Sequence, residues 1–247
     1  MRYTFLKLSL LASIPLSVAV AARADTVTDI ATPSTGGLYA NWAGAVNGSQ
    51  IAAAPTNGNT GTGITFADWM GTFDEITTGA TSTIAVSGVS LSGTSTVNAL
   101  LNTFYGDTQA DGTVTFTNSN SQTVSYTVTG GDTIRDYNQN NYQNSLAGGS
   151  LAEGVTAQNW WNNASNGQRL DVATFYLPTS WNGTDLTSFS LTNTSTTGTE
   201  DVLSALQVDV QTAGGGTAVT PEPSSLILLG TGTLGVAGAM RRRFIKA

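Results

Sequence analysis

The sequence predicts an all-β protein, an antiparallel β-sandwich, with a chemically distinct segment at each end of the chain. Three observations point to it. Runs of alternating apolar and hydroxyl side chains recur from residue 64 onward, separated by turns containing Gly and Asn. None of these runs repeats its apolar residues at a helical period. The region is also rich in Thr, Ser, Gly and Asn and poor in Lys and Glu, which disfavours long surface helices.

Taken in order, the chain opens with Arg2 and Lys7, then an apolar run at 8–20, then Ala22-Arg23-Ala24 before Asp25. A positive start, a short apolar stretch and small residues at the two alternate positions make a Sec-type signal peptide. Residues 1–24 are expected to engage the Sec translocon and to be cut by signal peptidase after Ala24. The run is short for a permanent N-terminal anchor. Residues 25–63 carry Asn47-Gly48-Ser49 and Pro55-Thr56-Asn57-Gly58, and read as an N-terminal extension and loops.

The sandwich itself is expected over 64–211. Its clearest feature is a hairpin, 113–117 and 123–129, joined by Asn118-Ser119-Asn120-Ser121-Gln122. Each arm carries β-branched or aromatic residues on one face and hydroxyls on the other. Further strands are expected at 82–89, 169–177, 186–192 and 202–210, while 97–105 is ambiguous in period but fits a buried strand. Gly214-Gly215-Gly216 then marks 212–220 as a flexible spacer.

The last segment, 221–247, begins Pro221-Glu222-Pro223, continues through an apolar run at 226–240 and ends with Arg241-Arg242-Arg243. The two prolines remove backbone donors and fix φ, so a helix is not expected to run through them. The 15 residues behind them reach roughly 22 Å at about 1.5 Å each, a marginal span for a ~30 Å hydrocarbon core. The arginines would hold its end on the cytoplasmic side. Together these features resemble the PEP-CTERM sorting signal of exopolysaccharide-producing Gram-negative bacteria. The resemblance implies a single C-terminal membrane helix, recognition by an exosortase-type protease, processing near Pro221-Glu222-Pro223 and delivery to the cell surface.

Composition excludes several functions. Between residues 25 and 219, two arginines face fifteen carboxylates, a net charge of −13. So acidic a surface repels phosphate backbones, and nucleic acid is not an expected partner. The chain has no Cys and no His. Disulfides, Cys/His zinc sites and any nucleophile–His–acid triad are therefore ruled out. Hydrolysis by a pair of carboxylates is the remaining enzymatic route, with Glu75, Glu153 and Glu200 the only glutamates of this region. None sits in a context that suggests an acid–base role, so no catalytic residue is assigned.

Three groups of residues are candidate sites. Asp132, Asp136, Asn138 and Asn140 concentrate oxygen ligands, and the last three alternate like the start of a calcium loop. The EF-hand pattern then fails, with Asn141 where Gly belongs and Ala147 where Glu belongs. A polar turn built on Asx side chains is favoured, with a calcium site of other geometry as the alternative. Arg135 and Arg169 are the only cations of the acidic region, and ion pairs drawing in Asp171 would tie the 132–141 turn to the 169–177 strand. Presentation of a guanidinium to an acidic glycan is the alternative. Trp160-Trp161, flanked by Asn159, Asn162 and Asn163, is the candidate glycan platform. Adjacent strand residues point to opposite faces, so one indole is expected in the core and the other is free to stack on a sugar.

A second resemblance spans roughly 64–210. Gly63-Ile64-Thr65-Phe66, Leu101-Asn102-Thr103-Phe104-Tyr105-Gly106, Ile134-Arg135-Asp136-Tyr137-Asn138, Gln168-Arg169-Leu170-Asp171 and 186–193 recur in this order in exported PEP-CTERM ectodomains. Those ectodomains look like galactose-binding-type jelly rolls, which implies a jelly-roll-like sandwich and no particular activity. The pattern departs at 157–163, where the Trp pair reads as an insertion. The expected protein is a non-enzymatic component of the cell surface or exopolysaccharide matrix, with extracellular polysaccharide a candidate partner. A carbohydrate-active hydrolase is the alternative.

Overall fold

A computed structural model describes residues 25–33, 36–37, 58, 60–67, 72–137, 143–163 and 168–211. In chain order the strands are β1 (Thr26–Ile30), β2 (Gly36–Gly37), β3 (Thr72–Ile76), β4 (Thr81–Ala85), β5 (Thr94–Phe104) and β6 (Ala110–Asn118). They continue with β7 (Thr123–Thr129), β8 (Gly149–Ser150), β9 (Val155–Asn163), β10 (Gln168–Tyr176), β11 (Leu186–Asn193) and β12 (Glu200–Gln211). One 3-10 turn, Thr179–Trp181, precedes β11.

The strands form two antiparallel sheets. The larger has the order β2-β3-β12-β5-β10-β9-β8, with β1 also paired to β12; the smaller is β4-β11-β6-β7. Successive strands from β3 to β6 alternate between the sheets, and so do β10, β11 and β12. The orders β3-β12-β5-β10 and β4-β11-β6-β7 therefore interlock as a double Greek key. The expected hairpin is β6–β7, with Val114 opposite Tyr126 and Phe116 opposite Val124. Its turn is held by Asn118, whose Oδ1 accepts from the N–H groups of Asn120 and Gln122, both at 3.0 Å.

One core lies between the sheets. Val114, Phe116, Tyr126, Ile84, Phe189 and Leu191 of the smaller sheet meet Val97, Ala99, Leu101, Phe175, Leu203 and Val208 of the larger. Phe116 is its hinge: its ring lies 5.6 Å from Phe189 beside it and 5.6 Å from Phe175 across the gap. A second core covers the opposite face of the larger sheet. There Leu100, Phe104, Leu170, Val172 and Val202 are capped by Phe66, Phe73, Tyr137, Trp160 and Trp161. Strand β5 is consequently buried on both faces from Ser95 onward.

Several elements differ from expectation. The stretch 25–37 was expected as connection, yet Thr26–Ile30 pairs with β12 in the register Thr26 opposite Val210 and Ile30 opposite Leu206. Its partner lies at the far end of the chain, so nothing nearby in sequence announces it. The region 157–163, where the sequence departs from the resembled pattern, is most of strand β9, paired to β10 along its length. Strand β4 ends at Ala85 rather than at 89. The segments 1–24, 212–220 and 221–247, with the apolar run 226–240, lie outside the described residues, as do Trp42 and Trp69. Among the described residues no helix is long and apolar enough to cross a membrane.

Truncating the ring that joins the sheets, Phe116→Ala, is expected to cost about 3–5 kcal/mol of unfolding free energy, read from urea titration.

Candidate functional site

The larger sheet is apolar at its centre and polar at one end. At that end Asn102 of β5, Asp171 of β10 and Asn159 of β9 form a row. Asp171 is buried, and its two oxygens accept from Asn102 Nδ2 at 2.9 Å and Asn159 Nδ2 at 3.1 Å. Arg135 comes over this row from the turn that follows β7 and grips the same carboxylate bidentately, Nε to Oδ2 at 2.8 Å and Nη2 to Oδ1 at 2.7 Å. Every oxygen of the buried anion thus has two donors, the condition under which such a pair holds.

Arg169 behaves differently. Among the described residues it forms no ion pair within 4.0 Å; its Nε donates to the Asp136 carbonyl at 2.7 Å, and Nη2 donates to the Gln143 carbonyl at 3.0 Å and Asn144 Oδ1 at 3.1 Å. Burial, then the nearby Arg135 charge, lower its pKa from the usual guanidinium range to about 10. Both arginines converge on the Asn144 carbonyl, at 3.2 and 3.4 Å. The two cations therefore pin the 143–144 segment and the turn before it onto the sheet.

The acidic side chains of that turn are occupied by backbone. Asp132 Oδ1 accepts from Gly149 N–H and Asp136 Oδ2 accepts from Gly106 N–H, each at 3.1 Å. Asn138 and Asn140 lie outside the described residues. Among the described residues no three His, Cys, Asp or Glu side chains group to hold a metal ion.

The Trp pair departs from strict alternation. Trp161 stands opposite Leu170 while Asn159 stands opposite Asp171, so Trp160 is the extra residue of a β-bulge. The bulge resets the pleat and sends both indoles into the same outer core, where Trp160 is 0% and Trp161 6% exposed. Trp160 Nε1 donates to the Ile64 carbonyl at 2.9 Å, and its ring meets Phe66 edge-on at 5.6 Å. Gly58 lies so close that a Cβ there would be 2.2 Å from the Trp160 carbonyl. The expectation of one free indole is corrected: neither offers a face to a sugar.

Two carboxylates that the sequence did not single out are more unusual. Asp111 on β6 and Asp201 on β12 are both 0% exposed, and all four of their oxygens lack a hydrogen-bond partner. Burial, then the Asp107 charge, raise the Asp111 pKa from 3.8 to about 7. Burial, then Asp111, raise Asp201 well above the usual carboxylate range. An Asp-Gly dipeptide at 111–112 and a Glu-Asp at 200–201 read as ordinary turn and surface residues, so only the tertiary structure reveals the pair.

A shallow cleft of about 290 Å³ is lined by Asp74, Glu75, Thr81, Ser82 and Thr83. Close to Glu75, Glu200 has its pKa raised by burial and then by Glu75 itself. A second cleft, of about 280 Å³, is lined by Ser125, Thr127, Asp132, Thr133 and Glu153. There Glu153 accepts from Ser150 Oγ at 2.8 Å.

Comparison with known proteins identifies one feature. Residues 219–243 match the PEP-CTERM protein-sorting motif. No curated protein and no solved structure matches the chain.

Two substitutions test the geometry. Arg135→Ala strands the buried Asp171 charge and is expected to cost about 3–5 kcal/mol of stability. Trp160→Ala is expected to cost a similar ~3–5 kcal/mol through the cavity it leaves. Both are read from denaturant titration monitored by tryptophan fluorescence.

Proposed function

We propose that the chain is an exported, exosortase-processed protein of the cell surface or exopolysaccharide matrix, and that its β-sandwich is a non-enzymatic body carried there. The observation that carries this reading is the match of 219–243 to the PEP-CTERM motif, which brackets Pro221-Glu222-Pro223 and reaches Arg243. That motif implies exosortase-dependent export and surface sorting. Ala22-Arg23-Ala24 supplies the complementary entry signal for the Sec translocon and signal peptidase. The double-Greek-key winding supports a jelly roll of the galactose-binding type.

The non-enzymatic assignment rests on chemistry. The chain has neither His nor Cys, both arginines are committed to internal partners, and the Asp132 carboxylate accepts from a backbone N–H. The polysaccharide matrix is proposed as the protein's surroundings, not as a ligand of Trp160 and Trp161, since both indoles are buried.

One observation favours the hydrolase reading. Glu75 and Glu200 act on one another on neighbouring strands, beside the Asp74–Thr83 cleft. A pair of neighbouring carboxylates is what glycoside hydrolysis uses. An assay of released reducing sugar on exopolysaccharide decides between the two. Our reading expects none; release abolished by Glu200→Gln would replace it with the hydrolase.

The address is tested by changing Pro221-Glu222-Pro223 to alanines in a host that carries an exosortase. The variant is expected to stay in the inner membrane with its C-terminus intact, seen by fractionation and intact mass. Surface delivery equal to the native chain would refute the address.

A further inference from the structure

We propose that the end of the sandwich where β5, β6 and β12 meet binds a calcium ion, held by the carboxylates of Asp111 and Asp201 and the main-chain oxygen of Asp107. The two side chains come from different sheets and close on the same end of the inner core. Asp201 Oδ2 reaches across from β12 to lie 2.6 Å from where a Cβ on Gly112 would stand. Asp111 Oδ2 and the Asp107 carbonyl oxygen lie 2.7 and 1.9 Å from the corresponding point on Gly130. Only glycine fits at either position, so the backbone is shaped around these oxygens.

Both carboxylates are wholly buried, and none of their four oxygens accepts a hydrogen bond. Thr199 acts on Asp111, but its hydroxyl donates to the Tyr105 carbonyl at 3.1 Å. Thr103 Oγ1, on the β5 residue that faces Asp201 in register, is a further buried oxygen with no partner. Two such buried acids that act on one another must either keep their protons or have a positive charge beside them. The protein provides none from its side chains: Arg135 is spent on Asp171 and Arg169 on main-chain carbonyls, and the described region has no lysine.

The donor set selects the ion. It is all oxygen, and the chain has no His or Cys to hold zinc in its usual nitrogen and sulfur sites. With no third acidic side chain in the group, carbonyl and hydroxyl oxygens must complete the shell, as calcium accepts at about 2.3–2.6 Å in flexible geometry. Magnesium demands a tighter octahedron and keeps its waters. The turn after β7 borders this place, Asp136 bridging to Thr103, but its Asp132 and Asp136 carboxylates accept from backbone N–H groups.

The test uses the full chain, purified in detergent, stripped with EDTA and titrated with calcium chloride. One calcium per chain is expected by atomic absorption after equilibrium dialysis, with a Kd on the order of 0.1–1 mM, the range of extracellular modules. Calcium at about ten times that Kd is expected to raise the unfolding temperature, and magnesium at the same concentration to leave it unchanged. The double variant Asp111→Asn, Asp201→Asn keeps the shape and removes both charges. It is expected to unfold above the native chain in EDTA and to show no response to calcium, whereas Asp132→Asn keeps the full response. A native chain that binds no calcium, or whose unfolding temperature is the same in calcium and EDTA, overturns the proposal. So does a folded double variant that binds as tightly as the native chain. Should the double variant fail to fold, the stoichiometry of the native chain decides alone.

Discussion

Burial of β5, β10 and β12 on both faces is the constraint on which the rest of the structure depends. A sandwich needs only one covered face per sheet; here the smaller sheet covers one side of the larger, and Phe66, Phe73, Tyr137, Trp160 and Trp161 cover the other. The second layer matters in a chain that has no cysteine and so no disulfide to close its loops. It also dictates the chemistry of the outer face. Polar side chains on doubly buried strands cannot reach water, so most of them find a partner within the protein. Thr174 donates to Asn98, Gln207 Nε2 to Asp29 Oδ1, and Asn102 and Asn159 to Asp171. The Arg135–Asp171 pair belongs to this system: it closes the polar end of the larger sheet.

The same constraint explains what could be read in advance. Strands β6, β7 and β11 keep one face partly open, and their side chains alternate, so hairpin and strand were legible from residues 113–129 and 186–192. Strand β5 is apolar or tightly packed on both sides, so its period vanishes and 97–105 stays ambiguous. Strand β9 was hidden by its bulge, which breaks the two-residue period at the tryptophans and made a structural pair resemble a binding platform. Arg135 and Arg169 stood out because cations are scarce, but no spacing rule says that one meets a carboxylate and the other four carbonyl or amide oxygens. Asp111 and Asp201 had no signature, since burial of an acid is a property of the fold. The C-terminal segment was the most legible because its message is local: prolines, an apolar run and arginines, read in order.

Charge is organised by the same economy. Both arginines between residues 25 and 219 point into the protein, so the described exterior shows carboxylates, amides and hydroxyls without a cation to balance them. Such a surface repels like-charged polymers.

The pairing of β1 with β12 has a consequence for the order in which the molecule is made. Thr26 stands opposite Val210, so the first and last strands of the domain are neighbours although nearly the whole domain separates them along the chain. A polypeptide threaded across a membrane from its N-terminus presents Thr26–Ile30 first and waits for its partner until Glu200–Gln211 has followed. Until then β1 has no place in the sheet, and β3 and β5 lack the strand they share. The entropy of closing that loop falls due at the end of transit. The domain is thus completed only when residue 211 has emerged, with the sorting segment immediately behind it, so that the finishing of the fold and the reading of its address become consecutive events.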